Sequence, residues 1–252
     1  MSETKGLPPP RVREIRFLRE YAAFSCRQPV AVAEALFPSL CEAYGKSDFD
    51  RVGHLLLGLH SEMIHAYEAS GALLLALSKG SEPGAILVTL WSYGEGEVAK
   101  FLEGLATSED WLTYVGLPGE SEVSGAFGGR AASAGYSHEG LKTLLGAFVG
   151  MYTNKDVRGS YNKIKHGLLF VRDKDLLSDD ATKVGTITGD RVHLLLNDKP
   201  VGLPVSSPEA VRLAFIYLSN MRQISEVMAA MANFAAECLD AGLKVGTSPP
   251  PS

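Results

Sequence analysis

From Val52 to Leu77 the chain carries the series Val52, Leu56, Leu59, Met63, Ala66, Ser70, Leu73 and Leu77, with steps alternating between four and three. That spacing keeps one stripe of a helix facing one way, as in a heptad seam. Asp48 offers an N-cap before it, and Gly80 and Pro83 turn the chain after it. The pattern therefore predicts a helix from Asp48 to about Ser78, roughly 45 Å long at 1.5 Å per residue. A second seam of the same kind closes the chain: Tyr217, Met221, Ile224, Met228, Met231, Ala235 and Cys238. Ser207 and Pro208 make a cap and first-turn pair ahead of it, and Gly242 is its stop.

Shorter amphipathic stretches fill the space between. Val12 to about Cys26 predicts one helix, and Val30 to Tyr44 a second, interrupted or restarted at Pro38. Gly84 to Ala106 predicts an antiparallel partner for the long helix, weak at Gly94 and Gly96. Glu109 to Leu117 reads as a short helix and Gly119 to Ser137 as a glycine-rich loop. Ser137 caps a helix to Tyr152 with Leu141, Leu144, Leu145 and Phe148 on one face, and Asp156 to His166 continues or restarts it up to Gly167. Leu168 to Val171, Lys183 to Thr188 and Val192 to Leu196 read as short strands, the last two joined at Gly189-Asp190. The fold class is mainly α: an up-and-down bundle with long antiparallel helices and a small β-hairpin insert. One helical domain at 11–242 is expected, with the insert at about 168–197 and frayed tails at 1–10 and 243–252.

Composition narrows the class. At 252 residues, 46% hydrophobic and 21% charged, the chain excludes wholesale disorder and collagen-like repeats. Cys26, Cys41 and Cys238 are odd in number and far apart, which excludes a disulfide scaffold and suits a reducing, cytoplasmic setting. Met1 to Pro10 has no apolar core of a secretory signal. Leu73–Leu77 and Ala85–Leu90 are far short of the ~20 residues that span a bilayer, so no membrane role is expected. The net charge of -5 excludes a globally basic coat for nucleic acid.

Local motifs carry the remaining chemistry. Glu62 and His65 have a di-iron bundle's Glu-x-x-His spacing, but no second copy exists. They also lie about 70° and 130° off the seam centre, taking 100° per residue, so His65 points to the flank or to solvent. Gly94 to Ala99 fits G-x-G-x-x-A, yet a dinucleotide turn needs a strand before it and positive potential, and this one carries Glu95 and Glu97. Gly128-Gly129-Arg130 lacks the Lys-Ser/Thr of a P-loop. No cofactor and no metal are assigned.

Charge is segregated along the chain. Glu95 to Glu122 holds seven acids (Glu95, Glu97, Glu103, Glu109, Asp110, Glu120, Glu122) against Lys100 alone, a balance of -6. Lys155 to His166 holds Lys155, Arg158, Lys163 and Lys165 against Asp156, a balance of +3. On a helix, Asn154, Arg158, Asn162 and His166 would form one slowly drifting stripe at steps of four. A guanidinium, an amide and an imidazole side by side suit a phosphodiester: Arg158 clamps the anion, Asn162 orients it and His166 moves a proton. Lys155, Tyr161, Lys163 and Lys165 would be the binding residues around them. The competing reading is a solvated basic face with His166 near the helix C-terminus at Gly167.

This segment resembles the HEPN superfamily, helical and often dimeric bundles in which Arg-Asn-x3-His on a late helix forms an RNA-cleaving site. Asn162-Lys163-Ile164-Lys165-His166 matches Asn-x3-His, while Tyr161 stands where the family's arginine would be and Arg158 lies one turn upstream. The resemblance implies that Asn162 and His166 are the polar pair. It also implies that Arg158, Lys163 or Lys165 replaces the missing guanidinium, or that the site is inactive. The expectation is an RNA- or nucleotide-binding homodimer, with a metal-independent ribonuclease as its catalytic form. The alternatives are a non-catalytic module that dimerises through the long seams and, third, a small-molecule pocket within the bundle.

Overall fold

Helices dominate the computed structural model, which describes residues 7–94, 96–127, 137–152, 186–188, 191–196 and 199–246. In chain order they are α1 (Pro10–Ala23), α2 (Gln28–Gly45), α3 (Phe49–Ser78), α4 (Ala85–Ser92), α5 (Glu97–Thr107), α6 (Trp111–Tyr114), α7 (Glu120–Ala126) and α8 (His138–Tyr152). Strands β1 (Thr186–Thr188), β2 (Arg191–Leu196) and β3 (Lys199–Pro204) follow, and α9 (Pro208–Asp240) ends the series. The mainly α class and the bundle expectation hold.

Local chemistry set the helix ends where the side chains predicted. The Asp48 carboxylate accepts from the Arg51 N–H, and the Ser137 hydroxyl from the Gly140 N–H, capping α3 and α8. After α9, Gly242 sits at φ 77, with Leu243 N–H donating to the Cys238 carbonyl and Gly242 N–H to that of Leu239. This is a Schellman stop.

Several expectations change. α2 runs unbroken through Pro38. The proline removes the bond to the Glu34 carbonyl, and burial of Ala33, Leu40 and Ala43 on both sides of it holds the helix together. Part of the expected glycine-rich loop is helical: Glu122 Oε2 accepts from the Gly119 N–H and starts α7, whose Val123 is buried. The β insert is a three-stranded antiparallel sheet in the order β1-β2-β3 and reaches Pro204. Thr188 pairs with Arg191, as the expected hairpin requires, and Leu196 pairs with Lys199 to begin the extra strand. Pro200, Gly202 and Pro204 conceal β3 in the sequence; prolines are tolerated because β3 is an edge strand. The strand expected at Leu168–Val171 lies outside the described residues.

The chain divides into two compact units. The first comprises Met1–Cys26, Ala69–Ala147 and Glu226–Ser252; the second comprises Arg27–Glu68 and Phe148–Ser225.

In the first unit, α5 docks on α3 where Gly71 leaves room. A Cβ there would lie 2.6 Å from a Val98 methyl. Leu18, Leu73, Leu77, Leu105, Leu145 and Met231 are among its fully buried core residues. Leu243 to Gly246, expected as the start of a tail, are packed. Val245 is fully buried, and the Gly246 N–H donates to the Gly116 carbonyl at 2.7 Å.

In the second unit, α2 lies antiparallel to α9: Tyr44 bonds the Ser206 carbonyl, Phe37 meets Phe215, and Arg222 pairs with Glu34 at 2.7 Å. Every residue of both predicted seams is buried within the chain itself. The seams are therefore core, and neither is available as a dimer face.

Candidate functional site

The residues singled out for phosphate chemistry, Lys155, Arg158, Tyr161, Asn162, Lys163, Lys165 and His166, all lie outside the described residues. The other sequence candidates are placed. Glu62 and His65 stand 4.0 Å apart with the imidazole more than half exposed, as the angular position predicts. Among the described residues no group of three His, Cys, Asp or Glu side chains is placed to hold a metal ion. The G-x-G-x-x-A run joins two helices: α4 precedes it, and Gly96 at φ 77 precedes α5. Glu97 accepts from the Gly94 N–H and pairs with Lys79, so its carboxylate is turned into the turn itself. Without a strand ahead of it the run is a helix–helix turn, not a dinucleotide site.

A polar site that the hydrophobic pattern did not reveal lies inside the second unit. α3 is buried on two adjacent stripes, the predicted seam and the row one residue on: Gly53, Leu57, His60, Ile64 and Tyr67. This second row repeats the four-three steps, which is the signal that would have revealed it. His60 is 3% exposed, and neither ring nitrogen has a hydrogen-bond partner. Its ring lies 5.0 Å from that of Tyr217 on α9. Burial pushes its pKa down to about 4, so the imidazole is neutral at physiological pH. The Tyr67 hydroxyl is likewise enclosed without a partner, its ring 5.7 Å from Phe148, and burial raises its pKa. Between them Met63 Sδ receives the Asn220 amide at 3.8 Å. A neutral imidazole sealed from water has basic capacity but no path to a substrate.

On the surface of the first unit, Glu109, Trp111, Glu139, Lys142 and Thr143 line a cleft of about 300 Å³. Asp110, between Glu109 and Trp111 in the chain, caps α6 and accepts from the Thr113 hydroxyl at 2.7 Å. That bond, with the nearby Lys142 ammonium, holds the Asp110 carboxyl below its usual range.

Cys26, Cys41 and Cys238 are free thiols. Among the described residues no helix is long and apolar enough to cross a membrane. No family model, no curated protein and no solved structure matches this chain.

Proposed function

We propose that the protein binds RNA or a nucleotide through Lys155–His166, in a cytoplasmic setting. The observation that carries this reading is the concentration of four cations, Asn162 and His166 within twelve residues of a chain whose total charge is -5. A phosphate backbone is the polyanion such a segment suits, and counterion release favours binding. Arg158 supplies the fork that fits a phosphate, Lys155, Lys163 and Lys165 add point charges, and Tyr161 offers a ring for a base. The mainly helical architecture agrees with the HEPN resemblance. The ribonuclease form assigns His166 as general acid or base and Asn162 as the orienting amide. A homodimer remains part of the proposal, with its interface elsewhere than on the seams.

The test is a salt titration of single-stranded RNA binding, alongside RNA cleavage without added metal. Lys163→Gln with Lys165→Gln should reduce the salt slope by about 0.7 for each phosphate no longer neutralised. An affinity indifferent to salt and to these changes overturns the binding claim. Equal cleavage by wild type and His166→Ala removes the enzyme claim.

A further inference from the structure

The acidic stretch from Glu95 to Glu122 is not used by the proposed phosphate site, and the surface cleft of the first unit lies partly within it. Glu109 precedes α6 and Trp111 opens it, while Glu139, Lys142 and Thr143 come from the first turns of α8. The six-membered ring of Trp111 lies against α8 at Gly146, where a Cβ would come within 2.5 Å of Cζ3. The missing side chain lets the indole seat there. Its Nε1–H is enclosed and without an acceptor. The ring therefore offers the cleft its carbon surface rather than its donor. Lys142 acts on Asp110, whereas Glu109 and Glu139 make no side-chain bond or ion pair among the described residues. Among the described residues, two carboxylates without an ion-pair partner thus stand beside an aromatic wall, with the Lys142 ammonium lining the same cleft.

We propose that this cleft binds a guanidinium or ammonium group, with the Trp111 indole as its π surface and Glu109 and Glu139 as its counter-charges. Ring quadrupoles attract cations, and tryptophan does so best. A planar guanidinium has donors enough to serve both carboxylates at once. The volume suits one side chain or a small cation, being at the low end for small-molecule sites. The cation has two sources, a basic side chain on a partner protein or a free small molecule.

The test uses the full chain with Trp91→Phe, which leaves Trp111 as the sole tryptophan. Three probes are titrated against its fluorescence: argininamide, the blocked tetrapeptide Gly-Arg-Gly-Gly, and the same peptide with neutral citrulline replacing arginine. Saturable binding of an arginine probe is expected, about tenfold tighter than citrulline. Glu109→Gln with Glu139→Gln should cost about tenfold, and Lys142→Gln should tighten binding by removing a competing ammonium. These opposed shifts separate recognition from a general loss of fold, which circular dichroism checks. A tighter arginine peptide identifies a partner's side chain as the source, and an equal argininamide identifies a free cation. Citrulline binding as well as arginine, no saturable change at millimolar probe, or indifference to the glutamate changes overturns the proposal.

Discussion

Glu14 Oε1 accepts the Ile86 N–H at 2.9 Å, which ties α1 to the first turn of α4. The carboxylate is fully buried, and its Oε2 takes the Arg11 guanidinium at 2.9 Å. Arg11 also reaches the Gly80 and Ser81 carbonyls, so one ion pair satisfies the backbone of the turn that follows α3. Removing one partner leaves the other charge enclosed or half-enclosed, which is the costly way to break such a pair. Glu14→Leu is expected to lose about 2–4 kcal/mol, and Arg11→Met a comparable amount. The double variant is expected to lose less than the sum of the two. Urea midpoints at unchanged m-value check this cycle; strict additivity would refute the coupling.

His60 gives the fold an acid limit. Its folded pKa of about 4 lies below the ordinary value of 6.5, so the unfolded chain binds the extra proton first. Its contribution is fully present above about pH 6.5 and is lost as pH falls toward 4. A slope approaching about 1.4 kcal/mol per pH unit is expected in that window. His60→Leu should remove this component while leaving stability at pH 7 equal or higher, because the imidazole it replaces makes no hydrogen bond. Denaturant midpoints between pH 4 and 7 decide it, and an unchanged slope in the variant would show that other groups carry the acid response.

The stop after α2 uses the same device as the stop after α9, with a less suitable residue. Ser47 sits at φ 57, while Asp48 N–H donates to the Ala43 carbonyl and Ser47 N–H to that of Tyr44. A side chain in the left-handed region is strained, whereas glycine is not. Ser47→Gly should stabilise by about 0.5–1 kcal/mol, and Gly242→Ala should destabilise by a similar amount. Opposite shifts in thermal midpoint are expected; shifts of the same sign would contradict the assignment.

Gly246 holds the segment after α9 in place. It adopts φ 106, and a Cβ added to it would lie 2.3 Å from the Ser81 backbone N and 2.6 Å from that of Gly80. Gly246→Ala therefore forces two backbones apart, with an expected loss of about 1–3 kcal/mol and release of the Val245 side chain. Limited proteolysis should cut near Leu243 faster in the variant than in wild type. Equal rates would mean that the tail is held by Val245 alone.

The chain itself determined the two long helices and several helix ends. A four-three repeat, an Asp48 or Ser137 oxygen, and a Gly242 stop act within one or two turns, so neighbours in sequence settle them. The expectation of a basic stripe at Lys155–His166 rests on the same local logic of charge and spacing, and those residues lie outside the described ones. Tertiary structure decided what depends on a partner far along the chain. Leu57, His60 and Tyr67 form a second buried row because α3 is enclosed on more than one side, which no single-stripe pattern requires. Trp111 became a cleft wall because Gly146 leaves space thirty-five residues later. β3 exists despite Pro200, Gly202 and Pro204 because β2 supplies a ladder along one edge. Propensity and periodicity are sums over near neighbours. Enclosure, vacant space and strand pairing are properties of surfaces brought together by folding.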